Sequence, residues 1–422
     1  MKSKTKKKIF KVFVVMFVLF LIHHIFWSFK VAGTVKKMRN DGSPTTCAEL
    51  NVEYLRIPYN VDASETYSKA FLLYNIEEKE GIPIFSKKKV ENPDMNVVKS
   101  FLDGNQEALD LLHKGAGISK CKYPVDFSKG YGMLLSHLSN VKKGVQLLSL
   151  EALYYSKMGD SDKSYESIIA GLRLSNSVSN EPTLISYLVK IATRALTFSR
   201  LEQAMKEVSF TDAQYQNIIA VMDDGVNDQL KKSFMAEKCL FDVIVNGSGN
   251  EINGIDTGFT AIFHSSLKSI AINKMNYVAM IDLYDKYIEF IELPPVERNP
   301  QDLEDIETET VNKSFIYIYV KMLMPACGKV AEVDKRHVAH TDLVKAAISV
   351  ERYKLANGDL PDSLDSSFID VFNGLPLRYE KTDEGYLIYS VGKDKVDNSG
   401  TIFDSERKKY KEGTDIVFSG LK

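Results

Sequence analysis

A chain of 422 residues, 44% hydrophobic and 26% charged, has the composition of an ordinary globular protein and the length for two or three domains. The formal net charge of −2 conceals an asymmetry. Ten of the 54 basic side chains lie in residues 1–40, which hold no acid, so the remaining 44 face all 56 acids and the body carries −12. An acidic body lacks the basic footprint that phosphate backbones select, so no nucleic-acid partner is expected. Cys47, Cys121, Cys239 and Cys327 are too widely spaced for a zinc pattern.

The first element is apolar. Lys2, Lys4, Lys6, Lys7, Lys8 and Lys11 precede an unbroken run from Val12 to Ile22; His23-His24 interrupt it and Ile25 to Phe29 resume it. A helix over Val12–Phe29 reaches about 27 Å, enough to cross a hydrocarbon core. Trp27 suits the lipid–water interface, and the heavier basic cluster places the N-terminus in the cytoplasm and the body outside. A cleaved signal peptide ending near Val31-Ala32-Gly33 is the competing reading, but the apolar stretch outlasts the usual signal core. Residues 1–30 are therefore expected to be a basic tail and anchor, and 31–62 a polar linker, loosest at Asn40 to Pro44. Cys47 and Cys121 lie in polar segments where an oxidising compartment permits pairing, whereas Cys239 and Cys327 sit in apolar helical patterns.

Residues 63–335 carry the helical period. Ser64 is the expected N-cap of a first helix through Ala70 and Leu73. Gly81-Ile82-Pro83 and Glu91-Asn92-Pro93 break the pattern, and Val97–His113 resumes it. Leu134–Lys157 and Ser164–Val178, joined through Met158-Gly159-Asp160, resemble one tetratricopeptide-type hairpin. Without a second copy at the repeat period, this implies a helical hairpin and not a superhelix. Further helices are expected from Leu184 to Met205, from Thr211 toward Val245, around Phe263, from Tyr277 to Ile291 and from Val311 to Met324. A loop is expected at Asn246–Gly258, and Asp302–Glu309 reads as a solvated acidic face.

Chemistry-bearing patterns are sparse. His337 and His340 share a helical face near Asp334 and Asp342, either half a metal site or an exposed helix start. His113, His137 and His264 stand alone, and no nucleophile elbow, phosphate loop or dinucleotide fingerprint occurs. Glu151, Glu181, Arg194 and Glu237 fall in apolar helical context and read as buried structural ion pairs.

Residues 336–422 read as a small α+β module. Leu343, Ala347, Val350 and Tyr353 line a helix that Gly358 ends and Pro361 seals. Strands are expected at Leu375–Glu380, Tyr386–Ser390 and Asp415–Phe418, with turns at Gly374, Asp383-Glu384-Gly385 and Asn398-Ser399-Gly400. Asp394, Asp397, Asn398 and Asp415 supply oxygens of the kind Ca²⁺ takes, although Asp and Asn also favour turns for their own sake.

The run Ala347 to Tyr353, then Asn357-Gly358-Asp359-Leu360-Pro361, Asn373-Gly374-Leu375-Pro376, Tyr389-Ser390-Val391-Gly392-Lys393-Asp394 and Asp415-Ile416 resembles the C-terminal domain of type II secretion major pseudopilins. That resemblance implies a helix followed by an antiparallel sheet. It also implies a structural Ca²⁺ at Asp394 and Asp415, with Asp397 and Asn398 as further ligands. Where the family has Asp-Pro this chain has Asp370-Val371, and residues 1–30 lack the family's processing glycine and acidic residue. The whole layout resembles bacterial membrane-anchored proteins to which no activity attaches.

The expected architecture is mainly α: a transmembrane helix, a multi-helix hairpin domain and a C-terminal helix with an antiparallel sheet. The expected role is a single-pass bacterial inner-membrane protein with a periplasmic body that binds a protein partner as an interaction or scaffold protein. The alternatives are an accessory component of a type II secretion or pilus-like system, and a hydrolase whose active site is dispersed along the chain.

Overall fold

The computed structural model describes residues 2–56, 62–76, 81–83, 85, 92–223, 228–241, 272–323, 325–400 and 415–421. The loop expected at Asn246–Gly258, the helix around Phe263, and His264 lie outside these residues. Within them the chain is mainly helical, with one small antiparallel sheet at its C-terminal end.

Helix α1 (Lys2–Asn40) runs without a break for about 58 Å. Among the described residues it is the one helix long and apolar enough to cross a membrane. Its apolar side chains from Ile9 to Ile22 are bare except for the half-buried Phe20. The linker expected over 31–62 is not extended chain. Residues 31–40 continue α1, and α2 (Cys47–Leu55) follows at once. Thr46 caps α2 by accepting the Glu49 N–H at 3.2 Å, and the Glu49 carboxylate takes the Thr45 N–H at 2.7 Å in return. Leu50 and Tyr54 then give that helix a face to bury.

Short helices α3 (Ser64–Leu72), α4 (Met95–Asp103) and α5 (Gln106–Ala116) come next. The helix expected over 97–113 is two, split at Gly104-Asn105. Ser64 is not the cap of α3. Asp62 does that work, accepting the Ser64 N–H at 2.8 Å and hydroxyl at 3.0 Å. The expected hairpin is present as α6 (His137–Lys157) and α7 (Ser161–Asn176). Gly159 turns between them at φ +77°, and Asp160 caps α7 through the Lys163 N–H at 3.0 Å. Helix α6 starts three residues later than expected, leaving Leu134 exposed. A first core fills the space among α2 to α7, from Leu50 and Tyr67 through Leu109 and Leu148.

Helices α8 (Leu184–Glu207), α9 (Asp212–Asp223) and α10 (Gln229–Leu240) are followed by α11 (Ile272–Glu292), α12 (Pro300–Asn312), α13 (Ile318–Leu323) and α14 (Pro325–Asn357). A second core unites Tyr187, Phe234, Tyr277, Tyr284 and Tyr287 with Met38, while Val31 and Val35 of α1 pack at its edge. The end of α1 is thus built into the body. Its partner α11 runs alongside in the same direction: Lys274 donates to Ser28 Oγ at 2.8 Å, and Asp285 pairs with Lys37 at 2.8 Å.

A third core joins α7, α8 and α9 to the second half of α14 and to the sheet. Strands β1 (Arg378–Lys381), β2 (Gly385–Ser390) and β3 (Ile416–Leu421) lie in that order, all antiparallel. Ile388, fully buried in the middle strand, sits opposite Tyr379 on one side and Phe418 on the other. Gly358 ends α14 at φ +79°, donating to the Lys354 carbonyl at 2.8 Å. The boundary expected between 335 and 336 lies inside α14, so one helix serves both body and tail. Ser419 of β3 also gives its N–H and hydroxyl to Glu202 of α8, at 3.1 and 2.9 Å. The sheet packs as a wall of the helical body.

Candidate functional site

His337 and His340 are on α14, deep in its middle turns and not at an exposed helix start. Both flank the Phe198 ring of α8: His337 stacks on it at 6.2 Å and His340 meets it edge-on at 5.3 Å. Burial pushes both imidazoles below their ordinary pKa, and the Arg194 guanidinium adds to the effect on His337. Arg194 itself is fully buried, its CZ 5.6 Å from the same ring, and donates Nη2 to the Met222 carbonyl at 2.6 Å. Its Nε and Nη1, and Nδ1 of His337, have no partner among the described residues. Arg194 was expected to form an ion pair and forms none among the described residues.

One turn before His337, Asp334 anchors the neighbouring seam. It takes the Tyr187 hydroxyl of α8 and pairs with the Arg298 guanidinium from the α11–α12 connection. Arg298 also donates to the carbonyls of Ile291, at 2.6 Å, and Leu293, at 3.0 Å, while Lys335 reaches back to the Arg298 carbonyl at 2.9 Å. Tyr187, Ile291, Arg298, Asp334 and His337 line a cleft of about 580 Å³, with Asp223, Asp342 and Lys345 at its rim. The rim charges are spent on one another: Lys345 holds Asp223 at 2.6 Å, and burial pushes the Asp342 carboxyl up to about 6. Thr341, the hydroxyl nearest in sequence to these histidines, donates to the His337 carbonyl at 2.9 Å. The cleft offers a neutral imidazole and a cation but no activated nucleophile among the described residues.

Two histidines thought isolated have carboxylate partners. His113 lies 2.7 Å from Glu151, which also accepts the Ser167 hydroxyl at 2.8 Å. His137 lies 2.6 Å from Glu181, which accepts the Ser186 hydroxyl at 2.5 Å. In a hydrolytic triad the imidazole stands between hydroxyl and acid and takes the hydroxyl proton. Here the carboxylate stands in the middle both times, so neither serine is activated and each trio clamps helices together. Burial works against the His113 cation, but Glu151 outweighs it and holds the pKa above its ordinary value.

Glu237 of α10 has no cationic partner among its described contacts. Its carboxylate accepts the Leu184 N–H at 3.4 Å, and burial pushes its pKa from 4.5 up to about 7. A carboxyl raised on folding holds its proton in the native state after the unfolded chain has released it. The stability so gained is present at pH 4.5 and is lost as pH climbs through about 7. Glu237→Gln should therefore gain in melting temperature relative to the wild type as pH rises from about 4.5 to about 7.5. A gap that stays constant with pH would show that Glu237 does not titrate in this window.

In the C-terminal loop, Asp394 accepts the Val396 N–H at 3.1 Å. Asp397 accepts the Ser399 N–H at 2.9 Å and the Tyr389 hydroxyl at 3.1 Å, and meets Arg378 at 3.3 Å. Asp415 accepts the N–H groups of Asn398 and Gly400 at 3.1 and 2.8 Å. Lys395 and Ser399 take positive φ of 59° and 56°, the sharp turns these side chains brace. The geometry brings Asp397, Asn398 and Asp415 together and turns Asp394 to its own turn. No three His, Cys, Asp or Glu side chains gather around one ion position among the described residues. All four cysteines are buried and form no disulfide. Cys47 and Cys121, whose pairing the sequence leaves open, do not pair; the Cys47 Sγ points at the Cys239 carbonyl at 3.6 Å.

The group that organises this module is Asp370, which sequence reasoning noticed only as half of an altered Asp-Pro pair. It is buried and accepts the N–H groups of Phe372 and Val391, at 3.0 and 2.9 Å, and the Ser390 hydroxyl at 2.8 Å. No family model, curated protein or solved structure matches this chain.

Proposed function

We propose that this chain is a membrane-anchored interaction or scaffold protein. The observation that carries the reading is α1: apolar and bare over its first half, built into the second core over its last turns. An anchor that enters the body as one helix leaves no hinge between the two, so the body is held at a set height above the lipid, as a platform requires. In this reading the basic N-terminus is cytoplasmic and the body lies in the periplasm of a bacterial inner membrane. Val31, Val35 and Met38, packed against α11, favour an uncleaved segment, because cleavage near Gly33 would sever the helix within its docked turns.

Purification of the full tagged chain from crosslinked membranes tests this role. A stoichiometric envelope protein should be recovered, and the mature chain should retain its lysine-rich start. A clean purification, or a mature terminus near Thr34, would overturn the scaffold or the anchor respectively. Recovery of secretion components would favour the accessory role that the pseudopilin resemblance suggests.

A second reading concerns Ca²⁺ in the C-terminal loop. What supports it is the proximity of Asp397 and Asp415: desolvation, and to a smaller degree Asp397, raises the Asp415 pKa, a penalty that a bound cation would remove. Asn398 and Asp394 would complete the set this chain offers, and Arg378 competes with the ion for Asp397. Ca²⁺ should raise the melting temperature of the full chain over a chelator-treated sample, and Asp415→Asn should abolish the rise. An identical melt with and without Ca²⁺ would remove the site.

A further inference from the structure

The connection from α12 into α13 is unlike the rest of the surface. Over residues 311–322 the chain reads Val-Asn-Lys-Ser-Phe-Ile-Tyr-Ile-Tyr-Val-Lys-Met. Val311, Phe315 and Met322 are 65%, 85% and 67% exposed, while Tyr317 and Tyr319 pack one side against the second core. Exposed large apolar side chains grouped within twelve residues mark a surface that something covers.

Their position along α1 says what. Asn276, fully buried on α11, donates to the Ile316 carbonyl at 2.8 Å and accepts the Tyr319 N–H at 3.1 Å, pinning this turn to α11. Two residues earlier, Lys274 donates to Ser28 of α1 at 2.8 Å and lies 3.3 Å from His24. Two residues of helix rise about 3 Å. Because α11 runs in the same direction as α1, the turn lies about 3 Å beyond Ser28 toward the body, at the body-side end of the apolar band that runs from Val12 to Phe29. Helix direction agrees. Lys286 of α11 pairs with Glu309 near the end of α12, so α12 descends antiparallel to α11 toward that same level before turning at 313–317.

We propose that residues 311–322 enter the headgroup layer of the membrane that α1 spans, as a second and interfacial contact beside the anchor. The chemistry matches that layer: aromatic rings that are apolar with a polar tip, and exposed Lys321 to meet anionic headgroups. The contact fixes rotation and tilt about α1, which a lone spanning helix leaves free. This inference rests on the anchor reading above.

Trp27 is the chain's single tryptophan and gives that reading its own probe. The full chain is reconstituted into vesicles of phosphatidylcholine and phosphatidylglycerol, with and without lipid brominated near the headgroup. Wild-type Trp27 reports the anchor; Phe315→Trp in a Trp27→Phe background reports the turn. The substitution sits at a solvent-facing position, so folding is not at stake. Both probes are expected to lose emission to brominated lipid and to keep it in vesicles without bromine. If Trp27 is quenched while the probe at 315 is quenched only by aqueous iodide, the anchor stands and the interfacial contact is wrong. If the probe at 315 is shielded from both quenchers, protein covers the turn and the lipid assignment is overturned. If neither probe responds to brominated lipid, anchor and contact fall together.

Discussion

Replacing Asp334 with alanine is expected to destabilise the protein by about 3–5 kcal/mol, the cost of leaving one half of a buried ion pair without its partner. Asp334 and Arg298 are both almost wholly enclosed. Removing the carboxylate strands the guanidinium and the Tyr187 hydroxyl in the same low-dielectric seam. The loss spreads because each partner belongs to a different element: Tyr187 to α8, Arg298 to the α11–α12 connection, Asp334 to α14. Arg298 would still hold the carbonyls of Ile291 and Leu293, so the connection should stay folded while α14 loosens from α8. Hydrogen exchange on the full chain in detergent would read this as loss of protection around residues 330–340, together with a lower melting temperature. The double variant Asp334→Leu with Arg298→Met should recover only the part of the loss that comes from the stranded charge, since the Tyr187 hydroxyl and the Ile291 and Leu293 carbonyls still lose their partners. If the single variant melts with the wild type, the pair contributes nothing and the seam is held by packing alone.

What the sequence disclosed, and what it hid, follows one physical division. Periodicity reports burial on one face, so the long apolar first helix, the α6–α7 hairpin, the Gly358 terminus and all three strands were legible from local pattern. The turns at Gly374 and Gly385 were legible for the same reason, since glycine and its neighbours carry local backbone chemistry. Partner choice is not local. His113 and Glu151 are 38 residues apart, His137 and Glu181 44, and Arg298 and Asp334 36, so nothing in a one-dimensional pattern pairs them. The linker was misjudged because polarity was read as looseness. Residues 31–40 are polar on the side that faces solvent, while Val31, Val35 and Met38 recur at helical spacing on the side that docks. Cys47 and Cys121, whose pairing the sequence left open, show the same limit: sequence gives the residue type, and only packing decides whether two sulfurs meet.

Asp370→Ala should cost on the order of 3 kcal/mol or more and release the C-terminal sheet, because three donors lose their acceptor at once. The Phe372 and Val391 N–H groups and the Ser390 hydroxyl all end on this one carboxylate. Ser390 closes β2 and Phe372 sits in the turn ahead of β1, so the side chain ties the entry to β1 to the end of β2. Asp370 is also fixed through its backbone: its N–H goes to the Leu375 carbonyl at 2.7 Å and its carbonyl accepts the Gly374 N–H at 2.8 Å. Alanine keeps those two bonds and removes only the carboxylate, so the variant isolates the side chain's share. Hydrogen exchange across β2 and β3 is the suitable measurement, with Asp394→Ala as the comparison. Asp394 is exposed and accepts one N–H from its own turn, so without a metal its loss should stay within about 0.5–1 kcal/mol. The ratio of the two effects carries the information. A large loss at Asp370 and a small one at Asp394, unchanged by Ca²⁺, would make the buried carboxylate the organiser of the tail. Comparable losses that appear only with Ca²⁺ present would transfer that role to the loop and its ion.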